Sequence, residues 1–176
     1  TKHGVQNLLF CIASLRARGK KLAVLTNAAS YTRAQLLAKY HRLGFDFTAD
    51  EVVASRDVAV ARLDSIAPGA TWAAISAAGD SFADIPAQVL DAALDPTAFD
   101  VADGILFLST ARWSPALQAR LEQALAQNPR PFVIANPDLV ARLRTSAPLA
   151  KPDYTKLYTG EEQGYIDYPA MDAAAA

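Results

Sequence analysis

The chain is poor in the residues that most directly announce a chemistry. It holds one cysteine and two histidines in 176 residues. A lone Cys11 excludes an internal disulfide and any cysteine-based metal cluster, and it fits a reducing, cytoplasmic setting. Within Leu8-Leu9-Phe10-Cys11-Ile12 it reads as a small buried hydrophobe. His3 and His41 have no cysteine or acid at metal-ligand spacing, and His41 reads as an exposed helix residue. Charge of one sign is missing too. A net charge of −1 offers no basic footprint for nucleic acid. No apolar run approaches the ~20 residues that span a bilayer. Arg16 and Arg18 follow the first apolar stretch, whereas a secretory signal places its basic residues before it. Repeats and low-complexity linkers are absent from the sequence. Ser109 and Ser114 lack the glycines of a nucleophile elbow, and Gly79-Asp80-Ser81 reads as a turn, because no lysine follows it as in a phosphate loop. The opening Thr1-Lys2-His3-Gly4 reads as mid-protein sequence.

What is present is the grammar of an α/β protein. A hydrophobic share of 52% against 20% charged residues is enough to bury a core, in one compact domain or two small ones. Val5, Leu8, Leu9, Ile12 and Leu15 predict an amphipathic helix over 5–18, ended by Gly19. Leu22–Leu25 is a short continuous apolar strand of the kind buried in a parallel sheet. Ser30 or Thr32 caps a second helix with Leu36, Leu37, Tyr40 and Leu43 on one side and Gly44 at its end. From residue 56 onward the alternation continues. A helix is expected over Asp57–Ile66, broken by Pro68-Gly69, then a strand at Thr71–Ser76 and a helix at Ala87–Leu94. A strand follows at Gly104–Ser109, then a helix opened by Ser114-Pro115 with Leu117, Leu121 and Leu125 inward, then a strand at Pro131–Ala135. Residues 151–176 are polar and weakly periodic.

The step Lys21-Leu22-Ala23-Val24-Leu25-Thr26-Asn27 carries the chemistry. A strand that ends on Thr-Asn and opens into a helix gathers a hydroxyl, an amide and free backbone N–H groups, which suits an anion. Its flanks, from Gly19 through Gly44 and on to Asp50-Glu51-Val52-Val53-Ala54-Ser55, resemble the second motif of the haloacid dehalogenase superfamily. The nearest flavour is the capped branch (subclass IIA) of nucleotide, sugar-phosphate and 4-nitrophenyl phosphatases.

That resemblance implies a Rossmann-like α/β core, incomplete in this chain, with an inserted α/β cap. The expected divisions are a core portion at 1–55, a cap at 56–150 and a return toward the core at 151–176. It implies hydrolysis of a phosphomonoester through an aspartyl phosphate, with Mg²⁺ as cofactor and a small phosphorylated metabolite as partner. Nucleic acid and membrane are not expected partners, and a homo-oligomer through the cap is compatible with it. Thr26 and Asn27 would bind the phosphoryl oxygens. Lys151, before Pro152, resembles the third motif, although Ala150 stands where glycine is usual. Asp167 and Asp172 resemble the metal-binding acids of the fourth, without the usual glycine. Asn136-Pro137-Asp138 matches a recurrent word of the capped phosphatases. No DxDG precedes the first helix, so the nucleophile has no candidate. Asp100 and Asp103 are three apart and precede a strand; they resemble the entry to a central cap strand and take no catalytic role. The alternative is a non-catalytic α/β binding or interaction module of the same architecture.

Overall fold

The computed structural model describes residues 2–135. All six strands there run parallel to their neighbours, in a two-stranded sheet and a four-stranded one. The α/β, Rossmann-like reading of the sequence holds.

The first unit begins with helix α1 (Lys2–Ala17), which Gly19 terminates at φ +67°. Strand β1 (Val24–Thr26) pairs with β2 (Val52–Ala54); it begins two residues later than the expected Leu22–Leu25 and ends on the threonine itself, and Leu25 is exposed rather than buried. Between them lies helix α2 (Arg33–Arg42). Thr32 caps it reciprocally: its hydroxyl accepts from the Gln35 N–H, and the Gln35 side chain accepts from the Thr32 N–H. Such a cap stabilises a helix by about 1 kcal/mol and fixes where the preceding loop ends. Both helices pack on one face of the strand pair, where Ile12 and Leu36 meet Phe45, Phe47, Val52 and Ala54.

The second unit is the four-stranded sheet. In space its order is β4 (Val89–Asp91), β3 (Trp72–Ile75), β5 (Gly104–Phe107) and β6 (Phe132–Ile134). The central strands β3 and β5 are buried at every position, as parallel strands covered on both faces should be. Helices α3 (Ser55–Val60) and α4 (Leu63–Ile66) precede β3, and a short helix α5 (Ala98–Val101) precedes β5. Helix α6 (Pro115–Gln127) joins β5 to β6; Ser114 caps it, accepting from the Leu117 N–H, and Leu117 and Leu121 are buried as expected.

Four expectations are corrected. Ala87–Leu94 is not a helix: Val89–Asp91 is an edge strand in register with Trp72–Ala74, because pairing with a buried strand outweighs the helical preference of alanine and leucine. The single helix over Asp57–Ile66 is two, divided at Ala61-Arg62. Leu43 follows α2 at its C-cap and is 49% exposed rather than packed with Leu36. Cys11 is exposed, because α1 turns Ile12 to the core and carries its neighbour off that face. His41 is exposed, as expected.

Candidate functional site

The strand order fixes where a ligand can sit. From β3 the chain moves to β4 on one side, and from β5 it moves to β6 on the other. The loops leaving β3 and β5 therefore diverge, and they open a crevice at the carboxyl ends of the strands, the usual binding place in open α/β sheets. A cleft of about 450 Å³ occupies this crevice. Ala77, Ala78, Gly79 and Asp80 line it from the β3 side, and Ser109 and Ala111 from the β5 side. The opposite wall is the loop and helix that follow Thr26: Ser30, Tyr31, Gln35 and Lys39.

Thr26 is half-buried at the carboxyl end of β1, and the adjoining loop turns tightly, the Ala29 N–H donating to the Asn27 carbonyl at 2.8 Å. Among the described residues no side chain engages the Thr26 hydroxyl. Tyr31 stands with its ring 4.9 Å from the Lys39 ammonium, a cation–π contact that places positive charge at the cleft wall. Ser109 is buried, and its oxygen accepts from the Ala111 N–H at 3.2 Å, so its own proton remains to be donated.

The cleft walls are braced by two arginines that no local sequence pattern singles out. Arg112 donates through Nη2 to both Asp91 oxygens, at 2.8 and 2.7 Å, and through Nε to the Ser76 carbonyl at 2.8 Å. It thereby ties the loop after β5 to those after β3 and β4. Arg56 is completely buried and faces two carboxylates, Asp80 and Asp84, each held by two hydrogen bonds of 2.6–2.9 Å. Burial opposes its charge, and the hydrogen bonds and charges of Asp84 and Asp80 outweigh that, holding its pKa above the ordinary arginine value. Burial likewise works to raise the pKa of Asp80. Hydrogen bonds from Arg56, Ser76 and the Phe82 N–H, with the charge of Arg56, overcome it and set the carboxyl below its usual range. Asp80 reaches the cleft as a fully engaged carboxylate, poorly suited to attack a phosphorus atom. Gly79-Asp80-Ser81 is the turn the sequence predicts, with Gly79 at φ +76°. Asp103 accepts from the Thr71 N–H, a contact that closes the entry to β5.

A family described as haloacid dehalogenase-like hydrolases matches residues 5–83. Over that span the chain is similar to haloacid dehalogenase-like hydrolases. The fold agrees. A p-nitrophenyl phosphatase from Archaeoglobus fulgidus superposes with a TM-score of 0.60 at 18% identity, covering 78% of this chain and 49% of its own. The glycerol phosphate phosphatase of Mycobacterium tuberculosis, solved in complexes with calcium and with magnesium, superposes at 0.55 and 21% identity, covering 74% of this chain and 42% of its own. The chain thus spans about half the length of these phosphatases. A third similarity is of another kind: 38 residues are 60% identical to a probable flavin mononucleotide-dependent alkene reductase of Leishmania infantum, covering 22% of this chain and 10% of that protein.

Thr26 and Asn27 begin the loop that leads to Ser30 and Tyr31 on the cleft wall; they are not themselves among its lining residues. Lys151, Asp167 and Asp172, like Asn136 and Asp138, lie outside the described residues. Among the described residues no three His, Cys, Asp or Glu side chains converge as a cation site, so none of them fits as a Mg²⁺ cage and no step below runs through a metal. Nor is any described helix long and apolar enough to cross a membrane.

Proposed function

We propose that this chain carries the phosphoryl-binding loop and the leaving-group cleft of a phosphomonoester hydrolase. The observation that carries the reading is the position of Thr26: a threonine ending a parallel strand and followed by a tight loop, whose next residues, Ser30 and Tyr31, line a crevice at a topological switch point. There the Thr26 hydroxyl and the N–H groups of the Asn27 loop would donate to phosphoryl oxygens, whose negative charge grows more exposed as the ester bond breaks. The alcohol part of the ester would lie toward Tyr31, Lys39 and Ser109. At about 450 Å³ the cleft suits a small phosphorylated metabolite. The superfamily's reaction needs an aspartate nucleophile from a DxDG motif, and the sequence holds no DxDG, so the 176-residue chain is expected to show no appreciable turnover by itself.

The test is release of phosphate from 4-nitrophenyl phosphate with Mg²⁺ by a full-length protein containing this sequence, beside its Thr26→Ala variant. A large loss in the variant supports the reading, and equal turnover in both overturns it.

A second reading, an α/β binding module without catalysis, is favoured by Asp80, the carboxylate on the cleft wall, being locked to Arg56. A cytoplasmic location remains part of the proposal, resting on the single cysteine.

A further inference from the structure

We propose that Arg56 is a positioning residue: its buried guanidinium holds the Thr26 loop and the Gly79–Asp84 loop at one separation, and so governs which phosphate esters the cleft between them accepts. The proposal rests on the phosphoryl-binding reading of Thr26.

Every N–H of this guanidinium is used. Nε and Nη2 donate to the two Asp84 oxygens, both at 2.7 Å. Nη1 and Nη2 donate to the two Asp80 oxygens at 2.6 and 2.9 Å. The remaining Nη1 proton reaches the Ala29 carbonyl at 3.3 Å. Ala29 belongs to the loop that follows Thr26, whereas Asp80 and Asp84 belong to the loop that leaves β3. One planar group thus bonds both walls of the cleft from behind.

The loop it grips does not hold its shape cheaply. Gly79 and Phe82 both adopt positive φ, +76° and +53°, and for phenylalanine that region is rarely populated. Asp80 fixes this turn by accepting from the Phe82 N–H at 3.0 Å and from the Ser76 hydroxyl. Arg56 then fixes Asp80. An apolar contact backs the same junction, because Ala29 shares a cluster with Trp72, Ile85 and Phe82. That packing can keep the two loops associated, but it does not set their register; a forked, fully satisfied guanidinium does. An ester reaching from the loop after Thr26 to Ser109 touches both walls, whereas inorganic phosphate needs only the first. Arg56 should therefore matter to the former far more than to the latter.

The experiment uses the whole 176-residue chain, its Asp84→Asn and Arg56→Lys variants, two probes (inorganic phosphate and glycerol 2-phosphate), and amide deuterium exchange. Asp84 touches Arg56 but makes no contact with Ala29 among the described hydrogen bonds, so any effect on the Thr26 loop must travel through the guanidinium. Asp84→Asn is expected to raise exchange in 76–84 and also in 27–31, with α6 unchanged. Glycerol 2-phosphate should weaken about tenfold and inorganic phosphate less than about twofold, as expected for one lost charge-assisted contact on one wall. Exchange that rises in 76–84 alone, or equal weakening of both probes, overturns the proposal. If Arg56→Lys fails to fold, Asp84→Asn still decides. If the unsubstituted chain binds neither probe, the phosphoryl-binding reading fails, and the exchange in 27–31 still tells whether Arg56 couples the loops.

Discussion

Trp72 and Gly104 are register partners across β3 and β5, and the indole lies so close over the glycine that a Cβ there would stand 2.6 Å from the ring. Trp72 is buried, and Ile105 beside Gly104 is fully so, leaving the ring nowhere to move without disturbing both central strands. Gly104→Ala should therefore destabilise the four-stranded sheet by about 1–3 kcal/mol through overpacking. A thermal melt checks it; an unchanged midpoint would show that the ring yields freely.

Asp80 links stability to acid. Its folded pKa lies below the ordinary aspartate value of 3.8, so the unfolded chain takes up the proton first as pH falls. The contribution is thus whole above that value and is lost as pH drops through the lower, folded one. Asp80→Asn should cost about 3 kcal/mol at neutral pH, because it breaks a buried pair from one side. It should also flatten the loss of stability below pH 3.8 relative to the unsubstituted chain. Chemical denaturation across pH 2.5–7 measures both, with ~3 the expected kcal/mol at the neutral end.

The first strand pair has an uncovered side. Leu25 and Val53 are partners in register and are 79% and 37% exposed, while Val52 and Ala54 face the helices. Parallel sheets are normally covered on both faces, and a leucine this exposed adds little to folding. Leu25→Ser is expected to change stability by less than about 0.5 kcal/mol, as surface replacements do. A fall larger than about 1.5 kcal/mol in urea titration would mean that this face is packed in solution.

If Lys151 serves as the lysine of the third motif, Lys151→Ala should weaken binding of inorganic phosphate about tenfold, as the loss of one charge-assisted contact does. An affinity within about twofold of the unsubstituted chain would remove Lys151 from the site.

Much of the fold was legible because the signals were local. Ser114-Pro115 begins a helix wherever it sits, and Leu117 and Leu121 four apart declare its inner face. Thr32 and Gln35 likewise define the start of α2 by themselves. Val89–Asp91 was read as helix because its strand character comes from its neighbour β3, which lies outside any local window. Arg56 was missed for a related reason. Between Ser55 and Asp57 it resembles any solvated arginine, and its partners come 24 and 28 residues later. Thr26 was legible through its strand and loop; the cleft that this loop borders was not, since that depends on the divergence of β3 and β5 in space.

The central claim is that the Thr26 loop binds a phosphoryl group, and titration of the isotope-labelled chain with inorganic phosphate, followed amide by amide, tests it most directly. The account predicts saturable shifts centred on Thr26, Asn27 and Ala28, weakened about tenfold or more by Thr26→Ala, in keeping with the loss of a hydrogen bond to a charged group. Shifts that never saturate, that centre elsewhere, or that Thr26→Ala leaves unchanged would contradict it.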